Sequence, residues 1–145
     1  MIIKNESEML KLGEKLGQRA LKRLGDTSVV FELKGDVGAG KTTLSRGIAQ
    51  GLGVEEPVTS PSFTISKRYA FPDGTLTHYD FYRLGDPGIM LEDFTEALSI
   101  PNSVTIVEWG DSVRGFLPEK HLTIDISYLS ADSRDVTITE KGAKL

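Results

Sequence analysis

Gly35-Asp36-Val37-Gly38-Ala39-Gly40-Lys41-Thr42 matches the pattern G-x-x-x-x-G-K-[ST] at every defined position. This is the spacing of a phosphate-binding loop, and the chemistry requires it. Glycines let the main chain turn tightly and bring its N–H groups against phosphate oxygens. Lys41 supplies a charge that reaches the β- and γ-phosphates, and Thr42 a hydroxyl at the place of Mg²⁺. The helix that follows points the partial positive charge of its N-terminus at the same phosphates. A chance match in a chain of this length and glycine content is on the order of one per cent.

The flanks agree with the motif. Val29-Val30-Phe31-Glu32-Leu33 predicts a buried strand before it, and Thr43 to Leu52 a helix after it. Strand, glycine-rich turn and helix form the context that such a loop needs. A ligand-free glycine connection would give no reason for Lys-Thr at the helix start. The residues argue against a dinucleotide fingerprint: Gly38 and Gly40 give G-x-G, but Thr43 stands where its third glycine should be. The expected nucleotide-binding residues are Asp36, Val37, Gly38, Ala39, Gly40, Lys41, Thr42 and Thr43.

The 145 residues predict one domain, 1–145, with enough chain to bury a core. The chain has no cysteine, which removes disulfides, thiolate metal sites and cysteine nucleophiles from consideration. A net charge of −4 argues against a general nucleic-acid binder, which needs a cationic face. Lys11, Lys15, Arg19, Lys22 and Arg23 cluster on the first helical segment, where a solvated face is the expectation. The N-terminus lacks the apolar stretch of a signal peptide, and no apolar run suffices to span a bilayer. The expectation is a cytoplasmic protein with no membrane contact.

Ser7 to Leu24 predicts a helix, with Met9, Leu12, Leu16, Ala20 and Leu24 recurring at three- and four-residue steps and Asn5 or Ser7 as its cap. Phe63 to Phe71 and Leu76 to Tyr82 predict strands joined at Pro72-Asp73-Gly74-Thr75 as an antiparallel hairpin. Ile89 to Leu98 predicts a short helix, Ser103 to Val107 an apolar strand, and Ser112 to Phe116 a short turn or helix. Leu122 to Leu129 and Asp135 to Thr139 predict two final strands. The fold class is therefore α/β: a three-layer P-loop NTPase-like domain with a mixed, partly parallel sheet and antiparallel hairpin strands. The strands ending at Asp80 and Glu108 are the candidate parallel neighbours of Val29–Leu33, because ligands collect at the carboxyl ends of such strands.

A phosphate loop alone hydrolyses nothing. Mg²⁺ needs further oxygen ligands, which P-loop enzymes take from an acidic residue ending a neighbouring apolar strand. Glu108 ends Val104-Thr105-Ile106-Val107 and fits that part, directly or through water. Asp80 could position the attacking water or act through a metal-bound water, and equally could sit on a solvated hairpin face. Alternation places His78, Asp80 and Tyr82 on one face. Two histidines are too few for a metal-site claim. Thr59-Ser60-Pro61-Ser62-Phe63-Thr64 is hydroxyl-rich and follows the P-loop helix, where nucleotide switches carry a γ-phosphate sensor; an ordinary Ser/Pro turn explains it as well. Arg83 is more simply a surface ion pair than a cis arginine, and Trp109 a packed aromatic rather than an adenine stack.

The P-loop, then Thr59-Ser60-Pro61-Ser62-Phe63, then His78-Tyr79-Asp80-Phe81-Tyr82-Arg83, then Glu108-Trp109, in this order, resembles the TsaE (YjeE) family. The resemblance covers essentially the whole chain, and the later three motifs make it specific. It implies a small bacterial ATPase binding ATP/ADP and Mg²⁺, with Lys41, Asp80 and Glu108 as catalytic residues and Thr42 and Glu108 serving the metal. It implies work with two related partner proteins of a tRNA threonylcarbamoyl-transferase complex that modifies adenosine 37 of tRNAs reading codons that begin with A. Hydrolysis would reset that complex, with tRNA contacted indirectly and the chain a monomer when alone. Two other readings stand beside it: a GTPase-like switch, which lacks a guanine-reading segment after Glu108, and a small-molecule kinase, which lacks room for a lid. Adenine contacts are expected from Met9 to Lys11 and from Ser130 to Arg134.

Overall fold

The computed structural model describes residues 1–36, 38–59, 65–82 and 88–141, apart from the side chains of Ile89, Asp111, Ser112 and Lys141. In chain order the elements are β1 (Ile2–Ile3), α1 (Glu6–Leu21), β2 (Val29–Lys34), α2 (Lys41–Leu52), β3 (Ser66–Phe71), β4 (Gly74–Asp80), α3 (Gly88–Leu98), β5 (Ser103–Glu108), a 3₁₀ turn (Gly110–Phe116), β6 (His121–Tyr128) and β7 (Arg134–Lys141). The seven strands form one sheet in the order β1-β7-β6-β2-β5-β4-β3. Its centre is parallel, β6-β2-β5-β4, and hairpins close both sides, β3 against β4 and β7 against β6. The expected mixed α/β sheet is therefore present.

One expected neighbour is displaced. β4, which ends at Asp80, pairs with β5 and not with β2; the second parallel neighbour of β2 is β6. β5 thus separates the P-loop strand from Asp80. The first hairpin closes more tightly than four turn residues suggest: Phe71 pairs with Gly74, which leaves Pro72-Asp73 as a two-residue loop. The short edge strand Ile2–Ile3 carries too few residues for periodicity to reveal, and it is fixed by pairing with Asp135 and Arg134.

Each face of the sheet has its own core. Met9, Leu16 and Ala20 of α1 and Leu44, Ile48 and Leu52 of α2 cover Phe31, Leu33, Val104, Ile106 and Ile124. On the other face, Phe94 and Ala97 of α3 and Val113 of the 3₁₀ turn cover Val30, Tyr79, Phe81 and Val107. The period-2 alternation of β2 and β5 sorts their residues between the two. Tyr79, Phe81 and Phe94 pack as one aromatic group, two of the three pairs edge to face at 5.1 and 5.5 Å.

α1 is capped by Asn5, whose side chain accepts the Glu8 N–H. It ends at Leu21, three residues before the expected Leu24. The basic residues Lys11 to Arg23 on and just after it are exposed, and Arg19 and Arg23 pair with Glu140, as a solvated face predicts. Its inner side carries Gly13 and Gly17, opposite Gly47 and Gly51 of α2. A Cβ on Gly47 would stand 2.3 Å from the Leu10 carbonyl oxygen, and one on Gly17 2.3 Å from that of Ile48. The two helices meet backbone to backbone. Among the described residues no helix is long and apolar enough to cross a membrane.

Candidate nucleotide site

The P-loop leaves the carboxyl end of β2 and enters α2 at Lys41. Gly38 and Gly40 take φ of +82° and +113°, backbone that side-chain-bearing residues rarely adopt. Neighbours crowd both positions as well. A Cβ on Gly38 would meet the Tyr128 hydroxyl at 2.9 Å, and one on Gly40 the Met9 methyl at 3.2 Å. Ala39 N–H donates to the Asp36 carbonyl at 3.0 Å and closes the turn. Thr42 and Thr43 stand half-buried in the first turn of α2. Val37 lies outside the described residues, as do Ser60 to Thr64 of the hydroxyl-rich loop and Arg83.

Lys41 is 6% exposed. Its Nζ donates to the Gly35 carbonyl at 2.6 Å and lies 4.0 Å from the centre of the Trp109 ring. Burial holds its ammonium below the ordinary lysine value, while Glu108, Asp80 and Asp36 oppose that shift. Asp80 and Glu108 are partners in the parallel register of β4 and β5, so both carboxylates reach the P-loop side of the same edge. Burial pushes the Asp80 carboxyl above its ordinary value and Glu108 pushes it the same way; the Tyr82 N–H, at 3.0 Å from Oδ1, pulls it back, as do His78 and Lys41. The sheet therefore brings Lys41, Asp80 and Glu108 into one electrostatic group.

Glu108 is 4% exposed, and its Oε2 lies 2.5 Å from Nε2 of His78, itself 1% exposed. Oε1 accepts no hydrogen bond from a described residue. Trp109 follows in the left-handed region, φ +55° and ψ +47°. That conformation costs a residue with a side chain about 1 kcal/mol or more, and here it turns the indole over Lys41 and against Tyr82 at 4.7 Å. Trp109 is a packed aromatic, as expected.

Among the described residues no group of three or more His, Asp and Glu side chains could hold a metal alone. The donors that are present are hard oxygens: the Thr42 hydroxyl, the open oxygen of Glu108 and the Asp80 carboxylate. Mg²⁺ is bound in this way, through one or two carboxylates with substrate phosphates completing the shell. The residues fit that ion.

A cavity of about 540 Å³ opens beside the P-loop, lined by Asn5, Met9, Gly40, Thr43, Asp132 and Arg134 among others. Both segments expected to meet adenine, the start of α1 and the β6–β7 turn, border it; Lys11 does not. The turn has a second task that no sequence pattern announces. Arg134 Nε donates to the Ala39 carbonyl at 3.1 Å, its Nη1 donates to the Ser130 and Ser133 carbonyls, and its guanidinium lies 4.2 Å from the Tyr128 ring. The hairpin tip thus clamps the P-loop from 95 residues away. Nothing in the local pattern marks Arg134, because its partner is a main-chain carbonyl.

A second cavity, about 260 Å³, lies on the other side of Lys41, between Gly35 and the Trp109-Gly110 turn, with Lys34 and Arg114 on its wall.

The profile of the family described as threonylcarbamoyl adenosine biosynthesis protein TsaE matches residues 3–136. The chain belongs to the TsaE family. Relatives named tRNA threonylcarbamoyladenosine biosynthesis protein TsaE span nearly all of it. The Streptomyces coelicolor protein is 39% identical over 142 residues, 94% of this chain and 93% of its own length. The Haemophilus influenzae protein is 34% identical over 140 residues, 94% of this chain and 85% of its own. The crystal structure of Bacillus subtilis YdiB superposes with a TM-score of 0.75 at 33% identity, covering 98% of this chain and 84% of YdiB. The family resemblance carried by four short motifs therefore holds over the whole domain, as does the fold class.

Proposed function

We propose that this TsaE-family chain is a Mg²⁺-dependent ATPase that serves threonylcarbamoylation of adenosine 37 in tRNAs reading codons that begin with A. The observation that supports it best is the convergence of Lys41, Asp80 and Glu108 at the N-terminus of the P-loop helix. The relatives' names supply the pathway; the chemistry comes from the site.

In this reading the N–H groups of Gly38 to Thr42 bind the phosphates, and adenosine occupies the 540 Å³ cavity between α1 and the β6–β7 turn. Lys41 exchanges the Gly35 carbonyl for phosphate oxygens, which relieves a buried ammonium of its desolvation. When bound, Mg²⁺ offsets charge on the β- and γ-phosphates. Asp80 orients the attacking water, a task for which a carboxylate already pushed toward protonation is suited. Because Asp80 and Glu108 share one register step, the sheet holds them as a pair. ATP turnover resets a complex with two related partner proteins, one of which carries the transfer site.

Lys41→Ala is the test. It removes a ligand-facing charge from a protein whose core it does not complete, so ATP affinity should fall at least about a hundredfold with the melting temperature held. Unchanged affinity would remove the P-loop from the function. Restoration of tRNA modification by wild type but not by Lys41→Ala, in a mixture with the partner proteins, would tie the site to the pathway.

A further inference from the structure

Resting on the magnesium reading of the site, we propose that His78 is a positioning residue that makes Glu108 a one-oxygen ligand and so sets the preference of the site for Mg²⁺ over Ca²⁺. His78 sits two residues before Asp80 on β4, opposite Ile106 in the register and on the same face as Glu108. Its Nε2 stands 2.5 Å from Oε2 of Glu108, and both side chains are buried. Its Nδ1 is buried and has no hydrogen-bond partner among the described residues.

That orphaned nitrogen settles which way the bond runs. A ring with its only proton on Nδ1 would bury a donor with no acceptor among the described residues and set the Nε2 lone pair against the carboxylate, a costly arrangement. A ring with its proton on Nε2 leaves only a lone pair at Nδ1 and donates to Glu108. One lone pair of Oε2 is then engaged and the carboxylate plane is fixed, and Oε1, with no partner among the described residues, is the better placed oxygen for a metal. Histidine and carboxylate pairs of this kind orient a ligand and fix its basicity. Here the order is reversed: the carboxylate is the ligand and the imidazole stands behind it.

The consequence is selectivity. Mg²⁺ takes single carboxylate oxygens in a strict octahedron, whereas Ca²⁺ accepts more ligands and favours carboxylates that bind through both oxygens. A Glu108 held at one oxygen serves the first ion and disfavours the bidentate contact that the second prefers. Release of Oε2 would lower affinity for Mg²⁺ and narrow the difference between the two ions.

His78→Gln keeps an N–H donor near the position of Nε2; His78→Asn falls short of it; His78→Leu removes it. Each is purified, loaded with a non-hydrolysable ATP analogue, and titrated with Mg²⁺ and with Ca²⁺ by calorimetry. His78→Leu should lose about tenfold in Mg²⁺ affinity, and its Ca²⁺ to Mg²⁺ affinity ratio should rise about fivefold. His78→Gln should stay within about threefold of wild type on both counts, and metal-free analogue binding should be unchanged throughout. If His78→Leu does not fold, His78→Asn against His78→Gln decides on the same ratio. An unchanged ratio in the donor-free variant, or equal effects in His78→Gln and His78→Asn, overturns the inference alone. A wild-type titration that Glu108→Ala leaves unaltered overturns the magnesium reading of Glu108 and the inference with it.

Discussion

Glu32, two residues before the end of β2, and Glu108, the last residue of β5, lie one register step apart on neighbouring strands, yet their surroundings are opposite. Glu32 pairs with Val107, and Leu33 with Glu108, so the two carboxylates leave opposite faces of the sheet. Both are buried, at 2% and 4% exposure. On the α3 face, Glu32 Oε2 accepts from Arg114 at 3.2 and 3.4 Å, and Oε1 meets Lys34 at 3.9 Å and Thr123 at 3.5 Å. On the α2 face, Glu108 has His78 at Oε2 and no partner at Oε1 among the described residues. A buried carboxylate with partners at both oxygens is tied into the structure; one with partners at a single oxygen leaves the other available. Burial does not separate the two. The neighbours across the sheet do.

Removal of each carboxylate gives the largest contrast. Glu108→Ala should lower Mg²⁺-dependent ATP turnover by at least about a hundredfold, or about 2.7 kcal/mol of barrier, with metal-free nucleotide binding retained. Glu32→Ala should instead cost about 2 kcal/mol of folding stability, the worth of hydrogen bonds to a charged group, with turnover per folded molecule within about tenfold. Urea unfolding and steady-state hydrolysis on the two variants test this together. If Glu32→Ala also abolishes turnover in folded protein, the two faces are not divided as described.

Asp80→Asn sharpens the active side. It keeps the size of the side chain and the acceptor for the Tyr82 N–H while removing the charge. Turnover should fall about a hundredfold, or about 2.7 kcal/mol, with ATP affinity within a few-fold, because water orientation matters in the transition state. With partner proteins present, tRNA modification should then stop after one round per complex. Sustained modification by Asp80→Asn would show that hydrolysis at this site does not reset the complex.

Gly47→Ala tests the helix pair that covers the Glu108 face. Helix propensity favours alanine by about 1 kcal/mol. The new Cβ would meet Leu10, Gly13 and Glu14 main-chain atoms at 2.3, 2.8 and 3.2 Å, none of which is a flexible side chain. Overpacking of that kind costs about 3 kcal/mol, so a net loss of about 2 kcal/mol is expected. Gly25→Ala, where a Cβ meets nothing within 4 Å, is the control. Equal stability of the two variants would show that α1 and α2 can separate freely.

The smallest effect is the pH dependence of stability at Asp80. Its carboxyl is held above the ordinary value of 3.8 by burial. Folding therefore disfavours its charged form. That penalty is absent below the unfolded value, grows as pH rises through the folded value, and is full at neutrality. Asp80→Asn removes it, so the variant should melt higher than wild type at neutral pH, by at most about 3 °C after allowance for solvent screening. The difference should vanish below the ordinary value, and a difference that grows on acidification would reverse the assigned sign.

Chemistry with a fixed spacing along the chain is legible in the residues themselves. The P-loop, the strand ahead of it and the helix after it are local, and glycine, lysine and threonine at set offsets carry their own physical reason. Glu108 is legible because an acid at the end of an apolar strand has no use in a core. His78 stands out beside Asp80, but its hold on Glu108 crosses two strands 30 residues apart. The α1–α2 glycines leave no trace in the pattern, because periodicity registers apolar side chains and these positions matter for lacking one.

The sequence by itself determined the types of the longer elements, the phosphate-loop motif and the resemblance to one family, since each rests on residue identity at short range. Tertiary structure alone decided that β5 stands between the P-loop strand and Asp80, that Arg134 grips Ala39, and that of Glu32 and Glu108 only the second keeps an oxygen without a partner among the described residues. The physical reason is common to all three. Pairing order and hydrogen-bond saturation depend on what the chain brings alongside a residue from far away, and no local pattern encodes that neighbour.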